Sequence, residues 1–165
     1  MKSGHSKPLI DVSIRSARWK RQPQASAIVR QAVAAAARAA STPRAELAIV
    51  LTHDSAIRAL NRTWRGKDAP TNVLSFPTEP LRADGPRPTH LGDIVIAFET
   101  VTREAKLEGK PFRHHLAHLA VHGYLHLIGH DHETDRDAQK MERLERKILA
   151  RLAIPDPYAP PPAAR

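Results

Sequence analysis

The chain has 165 residues, which is enough for one domain with a sizeable core and too few to expect two. It contains no cysteine, which excludes disulfides, thiolate zinc sites and cysteine nucleophiles, so any metal must be held by nitrogen or oxygen ligands. No apolar run has the length of a signal peptide or the ~20 residues of a membrane span, and a cytoplasmic protein is therefore expected.

The positive charge is concentrated at one end of the chain. The formal net charge is +9, from 26 lysines and arginines against 17 acids. Residues 1–44 contain one acid, Asp11, and nine of the cations: Lys2, Lys7, Arg15, Arg18, Lys20, Arg21, Arg30, Arg38 and Arg44. Such a segment favours contact with nucleic-acid phosphates, although a merely solvated basic surface has the same composition. Aromatic residues make up only 4%, so base stacking is expected to contribute little.

Apolar periodicity predicts four strands and five helices, which is typical of an α+β domain. In chain order these are a strand at Ile10–Ile14, a helix at Ser26–Ala40, a strand at Leu47–Leu51, a helix capped by Thr52 or Asp54 and ending near Trp64, strands at Val73–Phe76 and Ile94–Ile96, and helices at Phe98–Leu107, at Phe112–Ile128 and from a Thr134 cap to Leu152.

Three segments fall outside this pattern. Residues 1–7 are expected to be a flexible arm, and residues 77–90, with four prolines, an exposed loop. From Pro155 the Pro/Ala-rich tail is expected to be disordered. The sequence therefore predicts a single domain over residues 1–154, followed by a tail over 155–165.

The predicted central helix carries four histidines in one stripe, at positions 115, 118, 122 and 126. Apolar residues occupy most of the remaining surface, so the helix should be buried. A buried imidazole costs free energy unless it finds a partner, and a single one is usually a hydrogen-bonded core residue. Several at successive turns of one helix are much harder to explain without a metal.

The spacing of His122, His126 and His132 is typical of a metal site. The first two lie one helical turn apart, and Gly129 permits the left-handed turn that can bring His132 back to the same ion. This H-x3-H-x5-H pattern matches the ligands of metzincin proteases, and three neutral nitrogens leave a fourth tetrahedral position open for water. Zinc is the expected ion. His118 is expected to be a fourth ligand or to orient one, and histidines 114, 115 and 130 to lie at the surface or in loops.

The position that carries the general base in H-E-x-x-H proteases is Gly123, which cannot move a proton. The metzincin Met-turn has no counterpart either, because Met141 falls within a predicted helix. The ligand spacing is therefore that of a protease, whereas the acid–base chemistry is not.

The loop from Arg65 to Asn72 (RGKDAPTN) places Arg65 and Lys67 on either side of Gly66. A guanidinium group can grip phosphate oxygens and stabilise the charge that develops at a reacting phosphoryl centre. A surface turn with two solvated cations is an equally good interpretation of these residues alone.

Three segments together resemble the signature of the YbeY family of bacterial rRNA maturation endoribonucleases. They are His122–His132 (HGYLHLIGHDH), Leu60–Pro77 with its RGKD and PTNVLSFP runs, and Leu91–Ile94 (LGDI). With the order of elements, the resemblance covers roughly residues 9–152 and implies a small mixed sheet with a zincin-like metal site at the end of the central helix.

The resemblance also implies function. It implies one zinc ion per chain on His122, His126 and His132, and Arg65 matches the functionally important arginine of the family. It implies a role in processing the 3′ end of small-subunit ribosomal RNA and in ribosome quality control, with ribosomal RNA, the small subunit and assembly factors as partners.

We therefore predict a zinc-dependent endoribonuclease acting on single-stranded RNA, with Arg65 as a catalytic residue and Lys67 and the basic N-terminal region holding the backbone. The attacking group is left open between water and the RNA 2′-hydroxyl, of which only the latter yields a 2′,3′-cyclic phosphate. A metalloprotease and a non-catalytic, zinc-stabilised ribosome-assembly factor are the alternatives.

Overall fold

The computed structural model describes residues 8–42, 46–79 and 90–160, and these form one four-stranded sheet and five α-helices. The strands are β1 (Leu9–Ile14), β2 (Glu46–Thr52), β3 (Val73–Pro77) and β4 (His90–Ala97). The helices are α1 (Ala25–Ala39), α2 (Asp54–Arg65), α3 (Phe98–Leu107), α4 (Phe112–Leu127) and α5 (Asp135–Arg151). The α+β class and every predicted element are confirmed. The predicted arm at 1–7 and most of the predicted loop at 77–90 lie outside the described residues.

The sheet is mixed, with strand order β1-β2-β4-β3. β1, β2 and β4 run parallel, and β3 pairs antiparallel with β4 at the edge of the sheet. Successive residues of a strand point to opposite faces, and both faces of this sheet are covered. The central strand β2 and the second half of β4 are accordingly apolar nearly throughout, whereas the edge strand β1 alternates apolar residues with Asp11 and Ser13.

The two faces of the sheet bury cores of unequal size. The larger core includes Ile49, Ile94 and Ile96 and lies beneath α1, α4 and α5. The smaller core, beneath α2, consists of Ile57, Leu74, Val95 and Ala97. The histidine helix α4 and the helix that leads to Arg65 thus pack on opposite faces. No described helix has both the length and the apolar character needed to cross a membrane.

The first residues of two helices are held by side chains, one of them as predicted. Thr134 caps α5 by accepting a hydrogen bond from the Asp137 backbone N–H at 3.1 Å. The predicted caps of α2, Thr52 or Asp54, are wrong: the cap is His53, whose Nδ1 accepts from the Ala56 N–H at 3.2 Å. Sequence rules favour hydroxyl and carboxylate caps, so an imidazole acceptor was not expected.

A short 3-10 helix at Ala17–Arg21, which the sequence did not predict, closes one end of the larger core. Its Trp19 is buried, and the indole N–H donates to the Thr52 carbonyl at 2.9 Å. The ring packs edge-on against Phe98 and Phe112, with centroids 5.3 and 6.0 Å apart. A one-turn helix has too little periodicity to be recognised in a sequence.

Gly123 lies where α4 approaches the sheet most closely. A Cβ at this position would lie 2.8 Å from Ile94 Cγ2 and 3.2 Å from Ser75 Oγ. The Ser75 hydroxyl also donates to the Gly123 carbonyl at 2.9 Å, so the strand and the helix are joined at this point. The glycine is thus required by helix–sheet packing, and a side chain at 123 would start towards the sheet.

The predicted disorder from Pro155 onward is wrong for residues 155–160. The Pro157 carbonyl accepts a hydrogen bond from Lys110 Nζ at 2.8 Å, and the Asp156 carboxylate pairs with Arg146 at 3.2 Å. Tyr158 reaches back towards α4 and α5. The domain therefore extends beyond its predicted end at residue 154, and residues 161–165 lie outside the described part of the chain. Proline-rich composition predicts only that this segment forms no helix or strand.

We expect Gly123→Glu, which would restore the protease H-E-x-x-H motif, to destabilise the fold by about 4–5 kcal/mol or more. The substitution places a charged side chain against Ile94 with no room for a Cβ. Thermal and urea unfolding would measure the change. Arg113→Glu, at an exposed position in the first turn of the same helix, should stay within about 0.5 kcal/mol of wild type. Equal stability of the two variants would contradict the packing argument.

Candidate metal centre

Three histidines converge at the C-terminal end of α4. Their nearest ring nitrogens, in His122, His126 and His132, all lie within 4.8 Å of one another. His122 and His126 are one turn apart on the helix, and their Nε2 atoms are separated by 3.1 Å. Side chains four residues apart lie on one helical face, so this pair is placed by the helix itself.

The turn that ends α4 supplies the third histidine. Gly129 has φ +100°, a conformation that side chains disfavour, and the His130 N–H bonds back to the Leu125 carbonyl at 3.0 Å. The chain reverses direction here. The centroid of the His132 ring lies 5.0 Å from that of His126 and 5.7 Å from that of His122. The glycine-dependent return predicted from the sequence is the observed path of the chain.

The arrangement fits one metal ion. Two nitrogens bound to a tetrahedral zinc at ~2.0–2.1 Å lie about 3.4 Å apart, close to the observed Nε2–Nε2 separation. The pKa of His126 is lowered to about 4 by burial and by the neighbouring His122 and His132 rings. This imidazole is therefore neutral at pH 7 and offers a lone pair. Three imidazole nitrogens form a donor set that suits zinc and leave one tetrahedral position free.

Glu145 holds one of these histidines in place. Its carboxylate is fully buried in α5, and its Oε1 accepts a hydrogen bond from His122 Nδ1 at 2.8 Å. Burial alone would raise the pKa of Glu145, but the hydrogen bonds from His118 and His122 lower it to about 2. Because an ionised carboxylate only accepts, the proton of His122 is fixed on Nδ1, and its Nε2 lone pair points at the metal position.

His118 does not join the three ligands but shares their carboxylate. Its Nε2 lies 2.5 Å from the second Glu145 oxygen, Oε2. The Tyr158 hydroxyl donates to the same oxygen at 2.5 Å, and burial next to Glu145 raises the pKa of this phenol. Of the two predicted roles of His118, ligand or orienting residue, this contact fits the second. It orients Glu145, which in turn orients His122.

A second histidine–carboxylate pair lies nearer the N-terminal end of α4. His115, which the sequence placed at the surface, is instead 95% buried, with Nε2 3.0 Å from Glu104 Oε1. The same carboxylate accepts from the Asn72 amide at 2.9 Å. These three residues line a cavity of about 260 Å³ that extends to His118 and His122. The cavity therefore joins the end of the predicted phosphate-binding loop to the metal centre.

The two predicted phosphate-binding residues, Arg65 and Lys67, lie in solvent at the C-terminal end of α2. Gly66 ends this helix with φ +70°, and it is this turn that separates the two cations. Neither side chain forms a hydrogen bond or ion pair with any residue in the described ranges, and no contact joins them to the three histidines. Asp68, in the same loop, pairs with Arg58 at 2.9 Å and so leaves both cations unneutralised.

Sequence reasoning missed Glu145 and Tyr158. A signal for Glu145 was available: it lies between Met141 and Ile148 on the apolar face of the last helix, where an acid is rarely buried without a partner. Nothing comparable marked Tyr158, because its role depends on the path of an irregular segment.

Comparison with known proteins identifies the family of the chain. The model of the family described as Endoribonuclease YbeY matches residues 12–153. Proteins named Endoribonuclease YbeY are 54% identical to the chain in Bradyrhizobium diazoefficiens, over 94% of this chain and 87% of that protein, and 57% identical in Nitrobacter hamburgensis, over 93% and 83%. In Rhodopseudomonas palustris (strain BisA53) the identity is 54%, over 92% of this chain and 91% of that protein.

A solved structure supports the fold. The solution structure of TM1509 from Thermotoga maritima superposes with a TM-score of 0.53 at 21% identity, covering 94% of this chain and all of the other. The family match and the curated relatives span nearly the whole chain, including the three converging histidines. The protein therefore belongs to the Endoribonuclease YbeY family.

Proposed function

We propose that this protein is a zinc-dependent endoribonuclease that cleaves single-stranded RNA at the centre formed by His122, His126 and His132. The convergence of three imidazole nitrogens within 4.8 Å, one of them hydrogen-bonded through its ring to the buried Glu145, is the observation that carries this proposal. The names of the relatives supply the reaction class, which is cleavage of internal phosphodiester bonds of RNA. When bound, zinc would supply Lewis acidity towards a phosphate oxygen and a nucleophile at neutral pH.

Arg65 and Lys67 are proposed to act on the phosphate. Both side chains are exposed and unneutralised, which is what binding of a polyanion from solution requires. In this role Arg65 stabilises the charge of the transition state, and Lys67 holds the backbone together with the basic N-terminal region. The exposed cations Arg15, Arg18, Lys20 and Arg21 belong to this region. Lys2, Lys7 and Arg44 lie outside the described residues.

The biological setting is also a proposal. We infer maturation of ribosomal RNA, at the 3′ end of the small-subunit RNA, and ribosome quality control in the cytoplasm, with the small subunit and assembly factors as partners. The net charge of +9 supports a polyanionic partner of this kind.

The packing of Gly123 disfavours a metalloprotease. The residue that would carry the general base faces Ile94 and Ser75 in the sheet, away from the histidine stripe. Glu145 cannot take that role either, because both of its oxygens already accept hydrogen bonds from His118, His122 and Tyr158.

Cleavage of a single-stranded ribosomal RNA fragment tests the proposed reaction. We expect wild type to cut, His126→Ala to lose both the metal and the activity, and Arg65→Ala to keep the metal and lose about 100- to 1,000-fold in rate. Gel analysis of the products and zinc content by mass spectrometry would be measured on the same samples. The end group of the product would distinguish attack by water from attack by the 2′-hydroxyl.

Arg143→Ala, an exposed arginine of α5, is the matched control and should cleave as wild type does. Zinc bound at about one per chain without any RNA cleavage would contradict the enzymatic proposal. It would favour a metal-stabilised assembly factor instead.

A second prediction concerns Glu145. Its substitution by Gln should weaken zinc binding about 10- to 100-fold, because an amide no longer fixes the proton on His122 Nδ1. Competition with a chromogenic chelator, on samples shown to be folded by circular dichroism, would measure the affinity. Glu142→Gln, which changes a half-buried carboxylate that pairs with Arg146 at 3.8 Å and with no other residue in the described ranges, should leave the affinity unchanged. Identical affinities for both variants would rule out the orienting role.

A further inference from the structure

Trp64 is unusually exposed for a tryptophan. It lies in the last turn of α2, and 69% of its surface is accessible to solvent. Its ring contacts Phe76 edge-on, with the centroids 6.1 Å apart. This contact holds the indole in place at the surface without covering it. A tryptophan is a large apolar ring that proteins normally bury, so its exposure beside the proposed phosphate-binding loop indicates a surface that binds another molecule.

The surroundings of Trp64 are positively charged. Arg62, Arg65 and Lys67 flank it in sequence and are all exposed. The next acid, Asp68, is occupied by Arg58, to which it forms two hydrogen bonds of 2.9 and 3.1 Å. An exposed aromatic ring among unneutralised cations is the combination with which proteins bind single-stranded nucleic acids, with the ring stacking on a base and the cations following the backbone.

Trp64 also lies near the end of the sheet at which the metal ligands lie. Its partner Phe76 is in β3, and the Phe76 carbonyl closely approaches Gly92. Leu127, which directly follows His126, also packs against Gly92. A Cβ on Gly92 would lie 3.0 Å from Leu127 Cδ2 and 2.1 Å from the Phe76 carbonyl oxygen. Phe76 thus lies between Trp64 and the end of α4. Because β3 is the edge strand, no further strand lies beyond it between the face of the sheet that carries α2 and the face that carries α4.

We propose that Trp64 is a stacking platform for one unpaired base of an RNA strand that passes around the edge of β3 to the histidine centre. This inference rests on the proposed function and deepens it by assigning a residue that recognises the single strand. A base inside a duplex already stacks on its neighbours and cannot offer its face, so the platform selects unpaired RNA. Stacking tolerates any base, and the platform therefore contributes no sequence preference of its own.

Intrinsic fluorescence tests the proposal in the wild-type protein. The chain has two tryptophans, and Trp19 is only 1% exposed, so an added ligand can quench Trp64 alone by contact. The probe is a single-stranded oligoadenylate of about 12 nucleotides, titrated at low salt. We expect saturable quenching that is absent when the same strand is annealed to its complement. Trp64→Phe should abolish the signal and leave binding, measured by fluorescence anisotropy of a labelled strand, nearly intact.

Substitution by alanine measures the contribution of the ring. We expect Trp64→Ala to raise the Kd for the single strand about 5- to 150-fold, with Trp64→Tyr restoring most of the affinity. Leu9→Ala is the matched control, because Leu9 is 68% exposed and lies in β1, at the opposite edge of the sheet. It should bind as wild type does.

Two outcomes would overturn the stacking platform and leave the endoribonuclease proposal intact: RNA cleavage without quenching of Trp64, or an unchanged Kd for Trp64→Ala. The second outcome, combined with loss of binding to an acidic peptide, would assign the surface to a protein partner instead. If quenching occurs but no RNA is cut, the platform stands and the cleavage proposal fails.

Discussion

The structure of the candidate site depends on one buried carboxylate. Glu145 is an ionised group in a core, which is unstable unless every lone pair finds a donor. Here His118 and His122 of α4 and Tyr158 of the segment after α5 supply those donors. Removal of any one leaves charge partly unsatisfied inside the protein. These hydrogen bonds stabilise the buried charge, and the one from His122 also fixes the tautomer and orientation of this proposed metal ligand. Fold stability and site geometry are therefore coupled through Glu145.

The sheet supports this arrangement through close packing rather than through polar contacts alone. At Gly123 the helix and the sheet approach to a distance that no side chain permits. This contact fixes the distance between the histidine-bearing helix α4 and strands β3 and β4. Ser75 adds a hydrogen bond at this contact, from β3 to the carbonyl of the residue that follows His122. A helix held on both sides, by the sheet below and α5 beside it, has little freedom to move its ligands apart.

Much of the fold could be predicted from the sequence because its elements are long and periodic. The α3 bounds, Phe98–Leu107, were predicted as they stand. The convergence of His122, His126 and His132 follows from helical spacing and one glycine. The errors concern features that have no local pattern. His115 as a buried partner of Glu104 and Tyr158 as a partner of Glu145 depend on contacts between separate elements of the chain. The His53 cap is local, but imidazole is not a residue type that the capping rules favour. The position of Arg65 relative to the three histidines is likewise a tertiary property that periodicity cannot supply.

The docking of Tyr158 has a consequence for the order of events during synthesis. Helix α4 emerges from the ribosome before α5, and the segment that carries Tyr158 emerges after both. Until then His118 and Glu145 lack one of their partners, and the carboxylate that orients His122 is incompletely satisfied. The centre therefore becomes complete only when translation has reached the final residues of the domain. A nascent or prematurely terminated chain has the histidines but lacks the full set of contacts that holds them in position.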